Sequence, residues 1–114
     1  KLINLLSKSM KSEKPYLNEN LTLKELANKL ETTPNNLSQI INEKFNKNFY
    51  EFINEYRINE VKSLLADPKY SHYSMLGIAF ECGFNSKSTF NSVFKQFTGK
   101  TPSEFKKSAF DFRG

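Results

Sequence analysis

Apolar positions recur with helical spacing in seven stretches of the chain. Apolar residues three or four positions apart share one face of a helix, and proline, glycine, asparagine or capping residues separate the stretches. The pattern predicts helices at residues 2–12, 23–30, 34–45, 49–66, 75–82, 86–97 and 102–108. We therefore expect an all-α fold without a β-sheet.

Capping residues and glycines define several of these boundaries. Thr22 opens a capping box with Glu25 at the third helical position, and Thr33 precedes a proline that suits the first helical position. Gly83 and Gly99 are expected to end two later helices, because glycine takes positive φ without steric cost.

The chain contains an internal repeat. One set of apolar residues is repeated 52 positions later. Leu23, Leu26, Ala27 and Leu30 correspond to Met75, Ile78, Ala79 and Cys82. A second set is repeated 53 positions later, where Leu37, Ile40 and Ile41 correspond to Phe90, Val93 and Phe94. The extra residue falls in a turn, where length varies most easily. The repeat predicts two related units, each with two helices joined by a tight turn, which is the layout of a helix-turn-helix.

The longest predicted helix lies between the two units. It carries two apolar stripes in succession: Phe49, Phe52, Ile53 and Tyr56, then Ile58, Val61 and Leu65. Such a helix can pack on the first unit with its start and on the second with its end. Counted from its cap Asn48 to Ala66, we expect a rigid linker about 28 Å long.

The predicted organisation has three parts. Residues 1–15 are a lead-in helix or linker from an upstream domain, residues 16–108 are a tandem domain, and residues 109–114 are a tail. Within the domain, the first unit spans residues 22–48 and the second spans residues 74–107. Because the chain starts inside a predicted helix and without Met, we interpret it as a fragment of a longer protein.

Composition narrows the possible functions. The net charge of +5 permits a polyanionic partner without requiring one. The single cysteine, Cys82, excludes an internal disulfide and fits a reducing compartment, and we expect it in the core. No signal peptide and no apolar run long enough to span a bilayer occur, so no membrane contact is expected. His72 has no Cys or acidic cluster at metal-ligand spacing. The sequence shows no set of catalytic residues, no phosphate-binding loop and no metal-binding motif, so we expect neither an enzyme nor a cofactor.

The second helix of each unit has a polar face that no apolar residue interrupts. In the first unit this face holds Asn35, Ser38, Gln39 and Asn42. In the second unit it holds Lys87, Ser88, Asn91, Ser92 and Lys95. Asn and Gln pair well with adenine, Ser can donate or accept, and Lys suits guanine or phosphate. These residues are candidates for contacts with DNA bases, and the alternative is a merely solvated polar face.

A further set of residues is suited to phosphate: Lys44, Lys47, Lys95, Lys100 and the helix starts near Thr33 and Ser86. For each lysine the alternative is an exposed, solubilising side chain. Arg57 lies in the middle of the linker helix. We favour a structural role for it, in which it bonds helix ends between the units, over a contact with phosphate.

Six motifs occur in order along residues 16–107: Leu23-x-x-Leu26-Ala27, Leu37-Ser38, Tyr56-Arg57-Ile58, Ile78-Ala79-Phe80-x-x-Gly83-Phe84, Phe90-x-x-x-Phe94-Lys95 and Gly99-x-Thr101-Pro102-Ser103. Together they resemble the AraC/XylS-type transcriptional regulators. The resemblance implies a homeodomain-like C-terminal DNA-binding domain of seven helices, with two recognition helices in successive major-groove segments. It also implies a sensor or dimerising domain elsewhere in the full protein. We expect double-stranded DNA and RNA polymerase as partners, a monomeric isolated domain and a cytoplasmic, nucleoid-associated location.

The sequence departs from that family at several positions. Glu31 stands in the first turn, where the family often has Gly, so we expect a strained or differently shaped turn. Asn46 replaces the usual Gly after the first recognition helix, and Gly77 lies inside a helix. The candidate faces also lack Arg. These departures leave open a helical protein-interaction domain that has lost DNA reading.

Overall fold

The computed structural model describes residues 1–113, with side chains as far as Lys107. Its α-helices are α1 (Leu2–Ser12), α2 (Leu23–Lys29), α3 (Pro34–Phe45), α4 (Phe49–Leu65), α5 (Met75–Glu81), α6 (Lys87–Thr98) and α7 (Pro102–Arg113). Single 3₁₀ turns at Pro15–Leu17 and Pro68–Tyr70 precede α2 and α5. The described residues contain no strand, so the predicted all-α fold with seven helices is confirmed.

The C-terminal helix is longer than the sequence pattern predicted. The predicted end of α7 at residue 108 is wrong, because its backbone stays helical to Arg113 and includes residues that we had assigned to a tail. No proline or glycine stands between residue 108 and Gly114, so no helix-breaking residue stops the helix earlier. The last residue, Gly114, lies outside the described part of the chain.

Local capping explains where most helices begin. The side-chain oxygen of each N-cap accepts a hydrogen bond from the backbone N–H three residues later, at Thr22, Thr33, Asn48, Ser74, Ser86 and Thr101. These six caps form three pairs that correspond in the repeat. An N-cap bond of this kind contributes about 1 kcal/mol, and it fixes the first turn of the helix in register.

The helices enclose two separate apolar cores. The first contains Leu6, Met10, Tyr16, Leu26, Ala27, Leu37, Ile41, Phe52 and Ile53. The second contains Ile58, Val61, Ile78, Ala79, Cys82, Phe84, Phe90, Val93 and Phe94. Helix α4 gives its first stripe to one core and its second stripe to the other, as its pattern predicted. Its 17 residues make a linker about 25 Å long.

Helix α1 is part of the first core. Leu6 and Met10 on α1 are buried among residues of α2, α3 and α4. The sequence pattern predicts a lead-in helix or linker for residues 1–15. The apolar spacing of α1 nevertheless gives it a buried face.

The turns of the two units have the same hydrogen-bond pattern. In the first, the Thr32 N–H donates to the Ala27 carbonyl at 2.9 Å. In the second, the Phe84 N–H donates to the Ala79 carbonyl at 3.1 Å. Both bonds satisfy a carbonyl in the last turn of the preceding helix, as in a Schellman motif. Of the two alternatives predicted for the first turn, a different shape is therefore not observed.

The residues with positive φ correspond in pairs across the repeat. Glu31 and Gly83 have φ of 58° and 101°, while Asn46 and Gly99 have φ of 55° and 78°. A residue with a Cβ seldom adopts this conformation, so the expected strain at Glu31 is confirmed. Asn46 ends α3 in the left-handed conformation that Asn tolerates better than most residues.

Candidate nucleic-acid interface

Helix α3 turns one side to the first core and the other to solvent. Its inner side places Leu37 and Ile41 at full burial. The candidate reading residues lie on the outer side: Asn35, Ser38, Gln39 and Asn42. Three of these are exposed and Ser38 is half-buried. The helical spacing of the four residues therefore brings them onto one accessible face, as the sequence predicted.

Helix α6 has the same arrangement in the second unit. Phe90, Val93 and Phe94 fill the second core from its inner side. All five candidate residues on its outer side are exposed: Lys87, Ser88, Asn91, Ser92 and Lys95. This face is cationic, whereas the α3 candidates are uncharged.

One acidic residue on α3 was not among the candidates. Glu43 lies one turn after Gln39, and the Gln39 Nε2 donates to the Glu43 Oε2 at 3.0 Å. Residues four positions apart on a helix are neighbours, so this pair could have been found from spacing alone. The Gln39 side chain is thereby held in one orientation, and a carboxylate stands beside the candidate face.

The lysines near the end of α3 differ in their partners. Lys44 is exposed and has no ion pair with any described residue. Lys47 pairs with Glu55 on α4, with 3.0 Å between Nζ and Oε1. A partly exposed pair of this kind contributes about 1 kcal/mol, so a phosphate can compete for Lys47.

Two further lysines surround the start of α7. The backbone N–H and the hydroxyl of Thr101 lower the pKa of the Glu104 carboxyl, with smaller contributions from Lys95 and Lys100. Lys95 on α6 and Lys100 in the following turn are both exposed. A cationic region therefore extends from the α6 face to the α6–α7 turn.

The start of α6 presents backbone donors to solvent. The Ser86 hydroxyl accepts from the Thr89 N–H at 3.1 Å. The N–H groups of Lys87 and Ser88 lie in the same first turn and have no acceptor in the described part of the chain, a geometry that suits phosphate. The start of α3 offers less, since Pro34 at its first position has no N–H.

Arg57 lies inside the protein and only 8% of its surface is exposed. Its Nε donates to the Tyr16 carbonyl at 2.7 Å, and its Nη2 donates to the Asn18 carbonyl at 3.0 Å. Its Nη1 donates to Asn54 Oδ1 at 3.3 Å. Burial lowers the pKa of Arg57, yet a guanidinium stays charged in proteins. A structural role is confirmed, although the bonds join α4 to the connection between α1 and α2 and do not join helix ends of the two units.

Cys82 and His72 lie apart from the candidate faces. Cys82 is fully buried in the second core, and burial raises its pKa to about 12. Its predicted place in the core is confirmed. His72 is exposed in the connection between α4 and α5. Among the described residues no His, Cys, Asp and Glu side chains group as metal ligands would, and no described helix could cross a membrane.

Two helix-turn-helix units on one linker helix, each with an exposed polar face on its second helix, define a tandem DNA-binding domain. Residues 26–108 match the family described as "Helix-turn-helix domain". The chain belongs to this family, and within it to the AraC type, as its motifs had indicated.

Curated relatives of the chain are bacterial regulators. The Msm operon regulatory protein of Streptococcus mutans is 29% identical over 113 residues, covering 90% of this chain and 40% of that protein. The melibiose operon regulatory protein of Escherichia coli K12 is 31% identical over 87 residues, covering 76% of this chain and 28% of that protein. An HTH-type transcriptional regulator of Staphylococcus aureus is 31% identical over 91 residues, or 80% of this chain and 12% of that protein. The chain thus spans less than half the length of each.

Solved structures share the fold. A DNA-binding transcriptional dual regulator from Escherichia coli K-12 has a TM-score of 0.74 at 21% identity, with 94% of this chain and 96% of that chain covered. An AraC-type regulator from Chromobacterium violaceum has a TM-score of 0.73 at 20% identity, with 93% and 88% covered. Family and relatives together identify a DNA-binding domain of a transcriptional regulator, and no observation favours the alternative of a protein-interaction domain.

Proposed function

We propose that the domain reads one asymmetric DNA site with α3 and α6 together, each in the major groove on the same side of the duplex. The observation that carries this proposal is the pair of exposed polar faces held at opposite ends of α4. The molecule extends 47 Å along its longest axis. Successive major-groove segments lie about 34 Å apart, so the domain is long enough to reach two of them.

The contacts divide into two kinds. Direct base contacts are assigned to the two outer faces: Asn35, Ser38, Gln39, Asn42, Lys87, Ser88, Asn91, Ser92 and Lys95. Phosphate contacts are assigned to the surrounding cations and helix starts: Lys44, Lys47, Lys100, Thr33 and Ser86, with Lys95 a candidate for either kind of contact. The exposure of the two faces and the unpaired N–H groups at the start of α6 support this division. Phosphate contacts position a protein, while base contacts select the sequence.

Salt dependence tests whether the domain binds DNA through these cations. If about six phosphates are neutralised, log K should fall against log[salt] with a slope of about −5. Fluorescence anisotropy on labelled genomic fragments measures this slope. Lys95→Ala and Lys100→Ala should each flatten it by about one unit if the lysine contacts phosphate, whereas Lys62→Ala, an exposed lysine of the linker helix, should leave it unchanged. A flat response of the parent protein would instead favour the protein-interaction domain.

The reading faces should favour adenine-containing steps, because amide side chains predominate on α3. Replacing Gln39 by Ala should cost roughly 1–3 kcal/mol at one base pair and relax the preference there. Selection from a randomised duplex library, followed by affinity measurement on single-base variants, measures both effects. Asn28→Ala, an exposed amide on α2, is the control and should change neither. An equal loss on all sequences would make Gln39 a positioning residue.

We further propose that the isolated domain is a monomer without a cofactor or catalytic activity, working in the cytoplasm at the nucleoid. The relatives named as operon regulators support a place at promoters, and we propose RNA polymerase as the second partner there. Sedimentation of the free domain tests the monomer, since self-association would appear as a concentration-dependent mass.

A further inference from the structure

The two helix-turn-helix turns differ in what lies beside them. Glu31, in the first turn, is exposed and adopts positive φ with a full side chain. Gly83, its counterpart in the second turn, is buried. A Cβ at Gly83 would overlap the Tyr16 carbonyl oxygen and lie 2.7 Å from the Arg57 Nε. The φ of 101° at Gly83 lies well outside the 58° of Glu31, so both the backbone conformation and the neighbouring atoms require glycine at residue 83.

Those neighbouring atoms belong to other parts of the molecule. Tyr16 lies in the 3₁₀ turn before α2 and is buried in the first core. Gly83 stands between Cys82 and Phe84, which are both buried in the second core. Arg57 occupies the middle of α4 and donates to the same Tyr16 carbonyl that Gly83 approaches. The first core, the linker helix and the turn of the second unit therefore meet at one point.

The first unit's side of this meeting point is fixed to α4 twice. Arg57 bonds the carbonyls of Tyr16 and Asn18. One turn later, Glu60 accepts a hydrogen bond from the Tyr16 hydroxyl at 3.3 Å and pairs with Lys14 at 3.2 Å. The Glu60 side chain is 17% exposed and that of Lys14 is 41% exposed, so this pair is only partly shielded from solvent. These bonds hold the Tyr16 carbonyl in a fixed position, and the turn at Gly83 packs against it.

We propose that Tyr16, Arg57 and Gly83 form a junction that fixes the angle between the two helix-turn-helix units. Each core packs on its own half of α4, and the cores share no residue. The junction adds a direct contact between the units, with no space for a side chain at Gly83. If both units read DNA, as proposed above, these residues also determine which spacing of the two DNA blocks is accepted.

The angle is measured without DNA by pulsed electron paramagnetic resonance. Spin labels at Lys24→Cys on α2 and Gln96→Cys on α6 report the distance between the units, because both positions are exposed. Protein without the introduced cysteines shows whether the buried Cys82 reacts. The parent should give a narrow distance distribution, and Gly83→Asn should give a broader or displaced one.

Two companion variants separate the junction from local strain. Gly99→Asn also places Asn at positive φ, but no atom lies within 4 Å of a Cβ there, so its distribution should match the parent's. Arg57→Met removes the donors without adding atoms at the turn and should broaden the distribution even if Gly83→Asn fails to fold. Circular dichroism checks that helix content is retained. A parental distribution in folded Arg57→Met or Gly83→Asn would overturn the proposal.

Binding measurements then separate this junction from the proposed reading of two blocks. Arg57→Met should lose about tenfold in affinity for a two-block site while changing by less than about twofold on each single block, since only simultaneous engagement depends on the angle. If the distance distribution of Arg57→Met broadens but DNA affinity does not depend on the spacing of the two blocks, the junction is supported and the proposed reading of two blocks is contradicted. If the distance distribution stays narrow, the proposed junction is contradicted, whatever the DNA measurements show.

Discussion

Inserting about five base pairs between the two contacted blocks of a bound site should reduce affinity to that of a single unit. Half a helical turn carries one block to the opposite side of the duplex, away from its recognition helix. Helix α4 cannot follow, since it is continuous over 17 residues and one side of each half packs in a core. Losing simultaneous engagement removes the avidity of linked sites, which amounts to about 100-fold or more.

A full turn of about ten added base pairs should not restore the affinity, because a rigid helix cannot lengthen. Footprinting of the isolated domain on spacer variants, with anisotropy for the affinities, distinguishes these cases. The parent site should show two protected blocks about 10 bp apart and need not be palindromic. Equal binding to the five-base-pair variant would show that α4 bends, or that only the second unit reads DNA.

The two reading faces are chemically unequal, which is why an asymmetric site is expected. The α3 face is neutral and has Glu43 beside it, whereas the α6 face carries Lys87 and Lys95. Lysines add electrostatic, sequence-independent affinity besides any contact they make with guanine, while amides supply discrimination for adenine. We therefore expect α6 to contribute more of the affinity and α3 more of the adenine preference.

Local chemistry made most of the fold predictable. A capping residue such as Thr22 or Ser74 bonds a backbone N–H three residues away, so its effect can be predicted from adjacent sequence. The two stripes of α4 were predictable for the same reason. The end of α7 was not, because no breaking residue follows its predicted last residue and the helix continues to Arg113.

Contacts between distant segments were not predictable in the same way. Arg57 was expected to bond between the units, but its partners are the backbone carbonyls of Tyr16 and Asn18. Because every residue has a backbone carbonyl, the sequence does not show which ones Arg57 binds. The sequence predicts positive φ at Gly83, but it does not show that the Tyr16 carbonyl oxygen and the Arg57 Nε also leave no space for a Cβ there. The exposure of the candidate faces followed from helical spacing, whereas the ion pairs beside them depend on side-chain conformations.

Replacing Phe94 by Ala should unfold the second unit while the first unit stays folded. Phe94 is fully buried, and its ring lies 5.6 Å from that of Phe90 and 5.2 Å from that of Phe105, both in edge-to-face geometry. Removing a buried Phe costs about 3–5 kcal/mol, which is comparable to the whole stability of many small domains. Because the cores share no residue, the loss of structure should be confined to the second unit and to the half of α4 that packs in the second core.

Amide hydrogen exchange, measured residue by residue, shows where protection is lost in this variant. Protection should disappear in α5 and α6 and persist in α2, α3 and the first half of α4. Leu37→Ala, a fully buried residue of the first core, is the matched control and should give the mirror-image pattern at a cost of about 2–5 kcal/mol. Uniform loss of protection in both variants would contradict this prediction. It would mean that α4 and the contacts at Arg57 make the two units one cooperative structure, in which neither recognition helix survives without the other.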